Sequence, residues 1–225
     1  MLSVIVLAPG VLAILATYPE SKAGFAISDA FALLAEPTVL VAAFILFCYA
    51  SIETSFSNWL PSFGKEVIGA ASPAATADAA DVSAQRLLSL FALAMMAGRL
   101  IVSQIPAITE CGSWFIAAAA LVSALIILAM TVTKSIQQTW VLVILAGLAF
   151  APCFPTTVGV TFAKFSSEIR GSVFGVIFAA AMFGGVVVPK AIGYLAKRAS
   201  VQKSLKLLIP ACLLLIALAI VLGKL

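Results

Sequence analysis

The chain has no histidine, so it lacks the residue that most often serves as general base, proton relay or metal ligand near neutral pH. Charge is scarce as well. Asp, Glu, Lys and Arg together make up 10% of 225 residues, far below the share carried by a soluble globular domain. The four cysteines, Cys48, Cys111, Cys153 and Cys212, have no metal-ligand spacing, and three of them sit inside apolar runs, where a thiol packs as a small hydrophobe. No His pair, Asp pair or metal-ligating constellation is present. Enzymatic chemistry and a resident cofactor are therefore not expected. The thirteen basic residues give a net charge of +4 but form no dense block, which argues against nucleic acid as a partner.

What the chain has in abundance is apolar surface. Hydrophobic residues account for 64% and mean hydropathy is +1.21. Long apolar stretches separated by short charged turns predict an all-α, polytopic integral membrane protein of about seven transmembrane helices, with the lipid bilayer as its solvent. Residues 1–18 form a first span that carries no basic leader. Residues 19–37 mix charge with helically spaced Phe25, Ile27, Phe31, Leu33 and Leu34, as an amphipathic surface connector would. Residues 38–225 then hold six spans, at about 38–61, 86–105, 113–133, 139–163, 170–195 and 205–223. The Ala-, Ser- and Asp-rich stretch 69–84 has little to bury and is expected to be a mobile loop. Seven spans place the termini on opposite sides, which suggests a portion of something larger.

Of nine acidic residues, only Glu53 lies deep in a span. An ionisable group there costs roughly 2.5–3.5 kcal/mol on insertion scales, so it should face a bundle interior or water. Tyr49, Glu53 and Ser57 recur every fourth residue and share one helix face, with Asn58 and Trp59 next along the chain. Two readings are open: hydrogen bonding to a solute or proton coupling on one side, and a protonated acid satisfied by a neighbouring helix on the other. Arg99 stands about 20 Å along its span from Arg86, and Glu53 about 12 Å from Pro61. That offset of roughly 8 Å between antiparallel neighbours predicts no direct Glu53–Arg99 ion pair; Arg99 is read as a gating contact or an anchor.

The stretch from Gly147 to Gly193 carries the remaining candidates. Pro152 and Pro155 each remove a helical donor within one turn, beside Thr156 and Thr157. They should break the helix and free carbonyls, either for a ligand or for threonine and water. In the next span Gly171, Gly175, Gly185, Pro189 and Gly193 project within about 40° of one line on a helical wheel. That smooth face lets another helix approach or slide.

These motifs resemble the C-terminal half of the major facilitator superfamily. GLAFAPCFPTT resembles its proline-broken tenth helix, and EIRGSVFG followed by GGVVVPKAIGYLAKR, with Arg170 in the turn, resembles its eleventh. AGRLIVSQI, containing Gly98 and Arg99, resembles a degenerate form of its cytoplasmic loop motif; only Glu110 stands for the expected acid. ETSFSNWLPSF resembles the seventh helix of sugar permeases related to the fucose permease. The resemblance implies that residues 1–18 correspond to the sixth helix. It further implies an inner-membrane secondary transporter that moves a sugar or organic anion with protons or sodium, and that works with a missing N-terminal half or a second copy. Glu53, Tyr49, Ser57, Asn58, Trp59, Pro152, Pro155, Thr156 and Thr157 would line the solute path, while Gly98, Arg99, Arg170 and the glycine face would gate or pack. The implied orientation puts five basic residues on the cytoplasmic side and eight on the other, against the positive-inside trend. The alternative is a partner-dependent membrane subunit without transport of its own.

Overall fold

A computed structural model describes residues 11, 14–16, 32–71, 76–105 and 111–225; most of the expected first span and connector lie outside them. The described residues hold six helical spans long and apolar enough to cross a membrane. Helix α1 is Pro37–Ala71, α2 Ala77–Ser103, α3 Gly112–Met130, α4 Ile136–Phe150, α5 Cys153–Phe162 and α6 Arg170–Ala196. A short α7, Val201–Ser204, passes through a 3₁₀ turn, Leu205–Leu207, into α8, Leu208–Leu222. Helices α4 and α5 together make one span, as do α7 and α8. The integral membrane character read from composition is thus carried by an all-helical bundle.

Helix α1 is the hub. It packs most extensively on α6 and also meets α2, α5 and α8, and two thirds of its apolar window is buried inside the protein. Helices in lipid gain little from hydrophobic burial against one another, so small residues must bring backbones close. Gly184 of α6 does this against α1. A Cβ there would stand 2.3 Å from the Phe47 carbonyl oxygen. Gly147 of α4 plays the same part against α2, where a Cβ would meet the Phe91 carbonyl at 2.7 Å. Where α1, α2 and α4 converge, Phe56, Phe91 and Phe150 stack edge-on and tilted, with ring centroids 4.9–5.8 Å apart. All three are buried.

Helices α1 and α2 replace the loop expected over 69–84, except at residues 72–75, which lie outside the described ones, and both helices run past the span limits placed at 61 and 86. Helix α1 continues through Pro61 to Ala71, and α2 begins at Ala77. Two features hold this extension. Phe63 and Val67 are buried, and Gly64 admits Leu87 and Ala84 of α2 so closely that a Cβ would stand 2.8 Å from the leucine side chain. The Thr76 hydroxyl accepts the Ala79 N–H as N-cap, and Asp78 in the first turn complements the helix dipole. Low apolarity does not mean lack of structure in this stretch, because alanine is both a poor core residue and the best helix former.

Candidate functional site

Glu53 stands about 24 Å from the start of α1 and about 27 Å from its end, close to the middle of the helix. Its Oε1 accepts a hydrogen bond from Nη2 of Arg99 on α2 at 3.2 Å. The same nitrogen donates to the Tyr49 hydroxyl at 3.1 Å. Tyr49 is buried at 3% exposure, whereas the Glu53 and Arg99 side chains retain 25% and 44%. A cavity of about 400 Å³ opens beside them, with Glu53, Ser57, Phe91, Met95, Met96 and Arg99 in its wall.

The Glu53–Arg99 contact overturns the expectation of no direct ion pair. Measured from the hairpin, Glu53 lies about 27 Å up α1 and Arg99 about 33 Å up α2, leaving about 6 Å between their levels. Every helical Cα–Cβ bond leans toward its own N-terminus. In this antiparallel pair Arg99 therefore leans toward the hairpin and Glu53 away from it, so the two side chains reach for one another. Pairing offsets part of the roughly 2.5–3.5 kcal/mol that each charge costs inside a bilayer.

The other expected site residues fall into different places. Ser57 lines the cavity but donates its hydroxyl to the Glu53 carbonyl at 2.9 Å, so it offers the cavity only an acceptor. Asn58 is exposed. Trp59 turns to α6, where its Nε1 donates to the Pro189 carbonyl at 3.0 Å and its ring covers Gly193. Pro152 stands in the break between α4 and α5 and Pro155 in the first turn of α5, yet Thr156 and Thr157 are buried at 6% and 0% exposure. The Thr157 hydroxyl donates back to the Cys153 carbonyl one turn earlier in α5 at 2.7 Å, so it is spent on its own helix. It is Phe154, 6.2 Å from the Tyr49 ring, that brings α5 toward the charged group.

Arg170 caps a helix: its Nε donates at 3.0 Å to the Phe162 and Phe165 carbonyls at the end of α5. Gly98 packs against α4, a Cβ there meeting that of Ala151 at 2.6 Å. The glycine face of α6 divides. Gly185 and Gly193 contact Thr54 and Trp59, while nothing lies within 4 Å of a Cβ at Gly171 or Gly175. Gly184, outside the wheel's chosen arc, makes the closest approach.

Sequence reasoning passed over Thr54, Glu66 and Gln202. Pro189 cannot donate to the Gly185 carbonyl four residues back, and the Thr54 hydroxyl on α1 stands 3.3 Å from that oxygen while also bonding the Ala50 carbonyl. The Glu66 carboxylate accepts the N–H groups of Val201 and Gln202 at 2.7 and 3.0 Å, capping α7. The Gln202 amide then donates to the Met130 and Thr133 carbonyls. The proline's orphaned carbonyl was foreseeable from the sequence; the partners on distant helices were not. A larger recess of about 720 Å³ at the α3–α4 connection has Lys134 as its only charged lining residue and no opposed pair.

With this geometry in view, solved structures place the fold. The E. coli fucose:proton symporter FucP, as a single-site variant, superposes with a TM-score of 0.73 at 17% identity over 97% of this chain and 53% of its own. FucP in an outward conformation, described as a major facilitator superfamily transporter, gives the same score and identity over 52% of its length. This chain has the fold of half a major facilitator superfamily transporter. It spans about half the length of the solved structures it matches. No protein-family profile matches the sequence, and no curated protein does. Within this fold, the charged group and its cavity belong to the first two described spans, and the proline-bearing α6 lies against the same α1.

Proposed function

We propose that the chain is the C-terminal half of a secondary transporter, equivalent to the superfamily's sixth to twelfth helices, that moves a small polar solute, a sugar or an organic anion, by alternating access. The observation that carries this reading is the Glu53–Arg99–Tyr49 group, midway along α1 and beside a cavity. Substrate and coupling-ion sites of secondary transporters lie near the bilayer midplane, and an intramembrane acid that keeps access to water can exchange protons. Protonating Glu53 removes a partner from Arg99 while Tyr49 still holds the guanidinium, so one proton changes the charge of the cavity without dismantling it. Protons, or sodium in their place, couple to transport at this pair. The second half of the pathway comes from another polypeptide segment or a second copy, and the inner membrane is the site of action.

The test is uptake into proteoliposomes under an imposed pH or sodium gradient, with the chain alone and with a second six-helix half, across L-fucose and a panel of organic acids. Gradient-driven accumulation that Glu53→Gln abolishes is the expected result. No accumulation of any solute under any gradient overturns the reading. A second reading, a membrane subunit that does not transport, is favoured by the half-length match and predicts stable association with a partner without uptake.

A further inference from the structure

We infer that the α1–α2 cavity takes a compact carboxylic acid in its anionic form, with a largely apolar body, whose carboxylate replaces that of Glu53 on Arg99. This rests on the transport reading above and narrows its solute class. Three observations carry it.

The guanidinium is only partly used. Both of its hydrogen bonds leave from Nη2, to Tyr49 and Glu53. Among the described residues nothing accepts from Nε or Nη1, and the side chain is 44% exposed. Arginine presents its donors as a planar fork matched to a carboxylate, and Tyr49, buried on α1, fixes the orientation of that fork from behind.

The rest of the wall suits an apolar body. Apart from Glu53, Ser57 and Arg99, the lining is Leu, Phe, Ala and Met. Ser57 has already given its proton to the Glu53 carbonyl. A sugar hydroxyl buried here would find few partners, and an unsatisfied polar group costs more than a hydrogen bond returns. At about 400 Å³ the cavity falls within the usual range for small ligands.

Charge balance sets how the anion enters. The cavity holds one cation and one anion. The titratable and charged groups placed against Glu53 are Arg99 on α2, which it bonds, and Tyr49 on its own helix, which shares the same Arg99 nitrogen. An incoming carboxylate leaves two anions on one guanidinium unless Glu53 takes a proton from solution. Each anion therefore enters together with one proton, and the neutral Glu53 releases Arg99 to it.

The experiment is equilibrium binding of radiolabelled benzoate to the purified chain in nanodiscs, with butanoate, inorganic phosphate and L-fucose as competitors. Benzoate should bind saturably and be displaced by butanoate but not by L-fucose or phosphate. Its affinity should weaken as pH rises, by up to about tenfold per pH unit, as one coupled proton requires. Glu53→Gln should bind benzoate about tenfold or more tightly and lose the pH dependence; Arg99→Lys should weaken it by a similar factor. Displacement by L-fucose, equal displacement by phosphate, absence of benzoate binding, or pH-independent binding to the unmodified chain each overturn the inference. Binding is read without uptake, so these outcomes leave transport of another solute standing. Benzoate binding with no uptake of any solute defeats the transport reading instead.

Discussion

The indole nitrogen of Trp59 donates to the carbonyl of Pro189 at 3.0 Å, tying the helix that carries Glu53 to the proline of α6. One turn beyond Pro189, a Cβ on Gly193 would stand 2.7 Å from the same ring. The hydrogen bond and the missing side chain belong to one contact. Trp59→Phe should lower stability by about 1 kcal/mol for the lost hydrogen bond, and Gly193→Ala by about 1–3 kcal/mol through overpacking. Combining Gly193→Ala with Trp59→Leu should cost less than the sum of the single changes, because the shorter side chain vacates the space. Thermal unfolding of the parent, of Trp59→Phe, Trp59→Leu and Gly193→Ala, and of the Gly193→Ala/Trp59→Leu double in one detergent checks this; strict additivity in the Gly193→Ala/Trp59→Leu cycle would mean the two residues do not share the contact.

Two glycines of α6, Gly184 and Gly175, should differ sharply. Gly184→Ala drives a methyl to 2.3 Å from the Phe47 carbonyl, a backbone atom that cannot step aside, whereas Gly175→Ala meets nothing within 4 Å. The first should separate α1 from α6 and destabilise by about 1–3 kcal/mol or more. The second should be neutral or stabilise by up to about 1 kcal/mol, the helix-propensity gain of alanine over glycine. Melting temperatures in the reverse order would contradict the α1–α6 register.

The sequence alone disclosed more of the helices than of their partnerships. Glu53 was recognisable because one acid deep in an apolar run has no cheap structural excuse, and the Tyr49–Glu53–Ser57 face followed from fourfold spacing. The Arg99 partner was hidden by two things that spacing does not encode: how far alanine-rich helix ends extend past the hydrophobic run, and the opposed lean of side chains in an antiparallel pair. Trp59 reads as a site residue because it follows Glu53 and Asn58 along the chain, and Thr157 because it stands beside Pro152 and Pro155. Their partners turned out to be backbone carbonyls, and choosing between a ligand and a carbonyl requires knowing which helix lies opposite. The same ignorance misled the glycine wheel, which groups residues by angle but cannot tell which arc meets α1.

The Glu53–Arg99 pair should behave as a unit. Glu53→Gln leaves an unpaired guanidinium within a span and Arg99→Gln an unpaired carboxylate, each exposed to the cost of a lone charge in the bilayer. Neutralising both removes that cost. The double variant should be more stable than the less stable single by about 1–3 kcal/mol, a coupling that a double-mutant cycle measures directly. In proteoliposomes both singles should lose gradient-driven accumulation. Glu53→Gln should keep solute exchange between equal pools and lose its pH dependence, since only the titrating group is gone. A Glu53→Gln protein whose accumulation still follows the pH gradient would remove this residue from coupling.

Adjacent residues at the far end of α1 make opposite contributions. Lys65 forms an ion pair with Asp81 of α2 at 2.6 Å, but its side chain and that of Asp81 are 48% and 57% exposed. Such pairs contribute about 0–1 kcal/mol, because solvent screens the attraction and two long side chains must be ordered. Glu66 instead spends both carboxylate oxygens on the N–H groups of Val201 and Gln202, donors that a helix start otherwise leaves unmatched. Behind it Gln202 secures the end of α3, so the cap joins α1, α3 and the last span. Lys65→Ala should therefore change stability by no more than about 0.5 kcal/mol, and Glu66→Ala should lower it by about 1–3 kcal/mol. Raising salt should erode the small Lys65 effect and leave most of the Glu66 effect. Hydrogen exchange at Val201 and Gln202 supplies the local readout: it should quicken in Glu66→Ala alone, and unchanged protection there would show that α7 is capped by another group.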